Sequence, residues 1–258
     1  PGCVASAPDR PRRVVTQSHL DRHCGTAAVA ALFAQRPQDV MRLFHTPERR
    51  REAGPHCAIM ARQRRPYREV SAADLARVAA TQHHGGLVAL ALPRPVPALD
   101  PRNPPPAVAL SRVTPVLDGI GNPHNLGAIA RSAAFFGCRA LVLSGDPRQA
   151  GLSDAAFRTA EGGLEVLDVF RAEDLSRALR GLAPRILTVA AVARGGVPPA
   201  QIPRDTAIAL VLGNEEDGLT SATVSACAMR VTLPPAGPVE SLNVSVAAAV
   251  LIHALSAS

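Results

Sequence analysis

The sequence predicts an α/β protein in two parts, a small α/β domain followed by a larger domain built on a parallel sheet. Three observations lead there. After residue 112, short unbroken apolar runs alternate with helical patterns, which is how strands covered on both faces read. Between the parts lies PRPVPALDPRNPPP (93–106), with seven prolines in fourteen residues. Such a segment can continue neither a helix nor a central strand, and should form an extended, semi-rigid linker. The charge balance changes at the same place: residues 1–100 carry 15 arginines against 8 acids, and residues 101–258 carry 13 of each. The expected organisation is a basic arm over 1–21, a small domain over 22–95, a linker over 96–111 and the larger domain over 112–258.

In the small domain, Val29, Leu32 and Phe33 follow helical spacing, as do Val40, Leu43 and Phe44. Leu75, Val78 and Ala79 mark a further helix opened by Ser71 or Asp74, and LVALAL (87–92) reads as a buried strand. In the larger domain, strands are expected at 115–119, 140–144, 186–192, 207–213 and 229–233. Helices are expected at Leu126–Phe136, Asp174–Leu182 and Ser241–Leu255. The last is apolar almost all round and should be buried on all sides. Its stripe Val244, Ala248, Leu251 and Ile252 is expected to lie partly against a second subunit.

The net charge of +7 is carried entirely by arginine, because the chain has no lysine. Codon bias explains the choice of arginine but not its clustering at Arg10/Arg12/Arg13, Arg49/Arg50/Arg51 and Arg62/Arg64/Arg65/Arg68. That clustering is either a solvated basic surface or the footprint of a polyanion binder. No apolar run reaches the roughly 18–20 residues of a membrane span, and no apolar signal segment is read. The chain opens on Pro1, consistent with a start further upstream. Five scattered cysteines without a CxxC pair suggest neither disulfides nor zinc, and point to a reducing cytoplasm.

Ligands of parallel sheets bind at the carboxyl ends of strands, and three loops there hold unusual residues. In DGIGNPHNLGAIARSAAFFG (118–137), Asn125 is either an N-cap or a substrate contact. Arg131 is either a surface residue or, given its small and apolar neighbours, one facing a crowded interior edge. The glycines do not form the dinucleotide-binding pattern, and without lysine no P-loop is possible. In LVLGNEEDGL (210–219), Glu215, Glu216 and Asp217 suit either Mg²⁺ or a solvated turn. In LPPAGPVESLNVSVAAAVLIHAL (233–255), Ser241, Asn243 and Ser245 open the last helix.

These three loops, in order, resemble the signature motifs of the SpoU/TrmH branch of SPOUT RNA 2′-O-ribose methyltransferases, over about residues 112–256. Residues 22–95, through GTAAVAALF (25–33) and TQHHGGLVALALP (81–93), resemble the L30e-like RNA substrate-binding domain that often precedes it. The resemblance implies a parallel-sheet catalytic domain with a C-terminal trefoil knot, a homodimer, S-adenosylmethionine as cofactor and tRNA or rRNA as partner. The residues implied to act are Asn125, Arg131, Glu215, Ser241 and Asn243, with Gly213, Asn214, Leu233 and Leu242 at the cofactor and no metal. RTAEGG (158–163) departs from the Ser-Ala-Gly-Ala type segment of many relatives.

The family proposal makes the Arg131 equivalent a general base. Arginine's pKa exceeds about 12, so a bidentate clamp on the adjacent phosphate is the physically easier role. Asn125 and Glu215 are then expected to help fix Arg131 and the ribose. The alternative function is a non-catalytic RNA-binding or ribosome-assembly protein that keeps the knotted fold.

Overall fold

The computed structural model describes residues 20–256. The expected basic arm, with Arg10, Arg12 and Arg13, lies outside them except for Leu20 and Asp21. A first unit runs β1 (Asp21–Cys24), α1 (Thr26–Gln35), β2 (Val40–His45), α2 (Arg50–Arg62), β3 (Tyr67–Glu69), α3 (Ala72–Ala79) and β4 (Leu87–Ala91). Its four strands are ordered β1-β4-β2-β3. All five residues of β4 are buried, and they alternate between two faces. Leu87, Ala89 and Ala91 meet the cores of α1 and α2, while Val88 and Leu90 meet Leu75 and Ala79 of α3. Ser71 caps α3, accepting a bond from the Asp74 amide at 3.1 Å.

The helix expected at Val40, Leu43 and Phe44 is a strand. The register on β4 slips between Val40 and Arg42, leaving Met41 as an extra residue. This bulge turns Val40 and Leu43 onto one face of the sheet. Apolar residues three apart thereby imitate a helical spacing.

The proline-rich segment is extended and docks along the edge of the second sheet. Pro97 accepts from the Arg171 amide, and Leu99 donates to the Arg171 carbonyl. Proline suits an edge, because no ladder bond needs its missing N–H. A short helix α4 (Pro106–Ala109) ends the segment.

The second unit comprises β5 (Val113–Asp118), α5 (Pro123–Phe135), β6 (Ala140–Ser144), α6 (Asp154–Ala160), α7 (Gly163–Val166), β7 (Asp168–Ala172) and α8 (Leu175–Leu182). It continues with β8 (Leu187–Ala191), β9 (Ile208–Gly213), α9 (Ser221–Ser225), β10 (Met229–Val231) and α10 (Val244–Ser256). The six strands are parallel, in the order β10-β8-β9-β5-β6-β7. On β9, Ile208, Leu210 and Leu212 face the core shared with α5, α6 and α10, and Ala209 and Val211 face α8. β10 lies at one edge, clipped by Val197, yet α10 returns to pack on α5 and the central strands β5 and β9.

Two expectations about α10 need correction. It begins at Val244, because Asn243 is occupied as its cap (below). Ala248, Leu251 and Ile252 are buried in the chain's own core rather than free for a second subunit, whereas Val246 and Val250 are 49% and 43% exposed. No helix among the described residues is long and apolar enough to cross a membrane. The described cysteines are free, and burial pushes Cys24 and Cys227 up to about 11 and Cys138 to about 12.

A buried polar cluster joins the two units. Arg36, just after α1, donates Nε and Nη2 to both carboxylate oxygens of Glu165 on α7, at 2.9 and 2.8 Å. The Glu165 side chain is 1% exposed. Arg36 also donates to the Leu92 carbonyl at 2.6 Å, and Arg94 donates to the carbonyls of Leu164 and Leu167. Burial alone would raise the pKa of Glu165, but the bonds from Arg36 and the charges around it hold it below the ordinary value. Nearby, Arg22 binds Asp154 through its amide and guanidinium.

His23 sits inside this cluster, 3.3 Å from Arg36 Nη2 and 4.4 Å from the ring of Phe157. Burial pushes its pKa down to about 4 from 6.5, against the pull of Glu165. The folded protein therefore binds this proton less readily than the unfolded chain. The stability contributed by neutral His23 is complete above about pH 6.5 and is lost as pH falls toward 4, a change of about 3 kcal/mol. Denaturant unfolding between pH 7.5 and 4.5 should show that slope, and His23→Gln should flatten it. An equal slope in the variant would assign the acid sensitivity to other groups.

Candidate active site

The carboxyl ends of β5, β9 and β10 bring the three unusual loops together. Asn122, not Asn125, caps α5, accepting from the His124 amide at 2.9 Å. Asn125 is thereby left to reach across the loops. Its Nδ2 donates to Glu215 Oε1 at 2.5 Å, and its Oδ1 accepts from Asn243 Nδ2 at 3.3 Å. Asn243 in turn accepts from the Ser245 amide and hydroxyl at 2.9 and 2.6 Å, tying the chain to the start of α10.

Asn214 organises the second loop. It donates to the Gly119 carbonyl at 2.7 Å, and its Oδ1 accepts from the amides of Glu216 and Asp217 at 2.8 and 3.3 Å. Gly213 has no room for a side chain: a Cβ would lie 2.5 Å from the backbone of Gly218 and Leu219. The three acids of this loop separate. Glu215 meets Asn125, and Asp217 pairs with Arg148 at 2.8 Å, which also binds Asp146 at 2.9 Å. No group of three His, Cys, Asp or Glu among the described residues could hold a metal. Asp146 and Arg148 were missed by sequence reasoning, although their place just after β6 was a usable signal.

A cleft of about 910 Å³ opens between the second and third of these loops, its inner wall formed by Leu212, Val231, Val244 and Leu251. Gly213, Asn214, Glu215, Leu233, Ser241, Leu242 and Asn243 all line it. At its rim Arg194 pairs with Glu240 at 3.0 Å. Asn125 joins through Glu215.

Arg131 stands apart. Its side chain is 57% exposed rather than set against a crowded interior, because Leu126, Gly127, Ile129, Ala130 and Ala133 take the buried face of α5. Apolar neighbours in sequence point elsewhere around a helix. The partner of Arg131 is Glu161, at 2.9 Å, so Asn125 and Glu215 bind each other and do not hold it.

Comparison with known proteins places this architecture. Residues 112–253 match the model of the SpoU rRNA Methylase family, and residues 24–96 match the model for RNA 2′-O ribose methyltransferase substrate binding. A protein described as an uncharacterized tRNA/rRNA methyltransferase from Mycobacterium ulcerans is 36% identical over 193 residues, covering 72% of this chain and 60% of the relative. The 23S rRNA (guanosine-2′-O-)-methyltransferase RlmB of Nitrosomonas europaea is 39% identical over 140 residues, 53% of each chain. The chain thus spans about 60% or less of the length of these two relatives. The fold is shared with the AdoMet-bound rRNA methyltransferase from Sinorhizobium meliloti, at TM-score 0.74, 21% identity and coverage of 93% of this chain and 87% of that one.

The hydrogen bonds of Asn214 carry a direct test. Asn214→Ala should lower unfolding stability by about 1–3 kcal/mol and speed hydrogen exchange at the amides of Glu216 and Asp217. Unaltered exchange at those two amides would mean that other contacts hold the loop.

Proposed function

Because the chain belongs to the SpoU rRNA methylase family, we propose that it transfers a methyl group from S-adenosylmethionine to a ribose 2′-hydroxyl of structured RNA. The observation that carries this reading is the chain of bonds from Glu215 through Asn125 to Asn243. It joins all three loops beside one cleft.

The cleft fits the cofactor chemically. Backbone and apolar walls suit an adenine ring, and Glu215 and Glu216 on the lining suit a cationic sulfonium, Asp217 and Glu240 being paired with Arg148 and Arg194. Gly213, Asn214, Leu233 and Leu242 would hold it. When bound, S-adenosylmethionine supplies an electrophilic methyl group. Both ends of the Asn125 amide are engaged, so it presents a fixed face to the ribose. Ser241 and Asn243, just ahead of α10, hold substrate or the cofactor loop. Arg131 clamps the neighbouring phosphate and turns the 2′-hydroxyl toward the cleft. The hydroxyl proton passes to phosphate or water, since arginine stays protonated. Orientation of this kind supplies a large share of the rate, roughly 7–11 kcal/mol in well-aligned cases.

The first unit is the RNA-docking, L30e-like part of the proposal. It holds the arginine excess and matches the substrate-binding model. The return of α10 from the β10 edge to the sheet centre supports a knotted chain path. Homodimerisation through α5 and α10 is supported by the exposed Val246, Val250 and Phe135, the last 83% exposed. An apolar surface of that kind marks an interface.

Calorimetry should detect S-adenosylmethionine binding to the wild type, and its absence would favour the non-catalytic alternative. Arg131→Ala should keep that affinity while losing transfer. Arg131→Lys keeps the charge but not the planar fork, and should lose on the order of 10²-fold in rate at neutral and alkaline pH alike. Recovery of the Lys variant as pH approaches about 10.4 would instead make the residue a base.

Assembly has its own readout. Sedimentation at micromolar concentration should show a dimer for the wild type. Val250→Glu, at an exposed position, should give a folded monomer. A monomeric wild type would remove the dimer from the proposal.

A further inference from the structure

The turn after α6 is built against the helix that bears Arg131. α5 and α6 approach closely at Gly127, where a Cβ would lie 2.6 Å from the Ala156 carbonyl and 2.7 Å from Thr159 Cβ. The chain then leaves α6 through Glu161 at φ 44 and Gly162 at φ 95, both left-handed. Gly163 follows in contact with the α5 backbone. A Cβ there would lie 2.9 Å from the Ala130 carbonyl and 3.0 Å from Arg131 Cα. The backbone that carries Glu161 is therefore set at a fixed distance from the backbone that carries Arg131.

Stability does not account for a glutamate at this place. The left-handed region suits glycine or asparagine, and a longer side chain there is strained. The Arg131–Glu161 pair is half exposed on both sides, and exposed pairs add little to folding. What the pair does control is direction. Glu161 Oε1 lies 2.9 Å from the terminal nitrogen Nη1. A planar guanidinium has five N–H groups, so beyond Nη1 it has an Nε and Nη2 edge with which to grip a second, bidentate partner.

We propose that Glu161 is a positioning residue for the methyl transfer: it holds the Arg131 guanidinium by one corner, with the opposite edge aimed at the phosphate beside the target ribose. The proposal rests on the reading of Arg131 as a phosphate clamp. Glu161 itself touches neither substrate nor cofactor. It narrows the orientations that Arg131 samples before RNA arrives, so the clamp closes without a search. Its removal should slow the bound complex more than it weakens binding.

The test uses the full chain, radiolabelled S-adenosylmethionine and total RNA from a strain lacking the gene. Glu161→Gly removes the carboxylate and relieves the left-handed strain, so it should melt no lower than the wild type. Glu161→Gln keeps the length and loses the charge. Both should lower the single-turnover rate at saturating RNA roughly 10-fold or more, with half-saturation by RNA and S-adenosylmethionine affinity nearly unchanged. Arg131→Ala, assayed beside them, separates the two ideas. If Arg131→Ala loses transfer while both Glu161 variants keep the wild-type rate, the positioning role is overturned and the clamp stands. If Arg131→Ala keeps the wild-type rate, the clamp itself falls and the positioning role with it. A slower Glu161→Gly that also melts lower marks a structural role and overturns the proposal.

Discussion

The architecture depends on one buried carboxylate. Glu165 belongs to the second unit, but its charge is answered from the first, by both donors of the Arg36 fork. A buried ion is costly unless paired, and removing one partner of such a pair typically costs about 3–5 kcal/mol. The bidentate geometry also defines an orientation, which a hydrophobic contact of the same area would not. Arg94, reaching the carbonyls of Leu164 and Leu167 from the end of the first unit, repeats the constraint on the other side of α7. The first unit and the cleft are thus held in one register.

That register reaches the site through very little material. Glu165 is four residues from Glu161, and between them Gly162 and Gly163 touch α1 on one side and α5 on the other. A Cβ on Gly162 would lie 2.8 Å from Ala31 Cβ, and one on Gly163 would meet the backbone at Ala130 and Arg131. One five-residue turn therefore faces the first unit, the buried ion pair and the helix bearing Arg131. Backbone contacts of this closeness transmit position without needing a motion, because packed interiors yield little.

Elements with a strong local pattern were legible in the sequence. β6 and β9 are unbroken apolar runs, and Ser71 and Asp174 cap α3 and α8 with side-chain bonds. Others were not, and three of them show why. β3 (Tyr-Arg-Glu) is exposed along its length, so no burial pattern marks it. α2 carries Gly54 and Pro55 inside it, which read as breakers. β2 is bulged and mimics a helix. In the site, the loop motifs located Asn125, Glu215 and Asn243 together, because each lies on the connection or helix start that follows a parallel strand. The outward turn of Arg131 and its pairing with Glu161 depend on a contact thirty residues away. Arg36 and Glu165, 129 residues apart, carry no local signal at all.

The proline-rich segment has a further consequence. A six-stranded open sheet has two edges, each a row of unpaired amides and carbonyls that another chain could extend. Here Ala98 closes the β7 edge and Val197 closes the β10 edge. The segment between the units is therefore also a selvedge, a finished border that prevents the sheet from growing. Cutting the chain after Leu99 would leave β7 with a bare margin. The detached second unit would then be a sheet open to edge-to-edge pairing with its own copies, so its solubility depends on keeping residues that belong by sequence to neither domain.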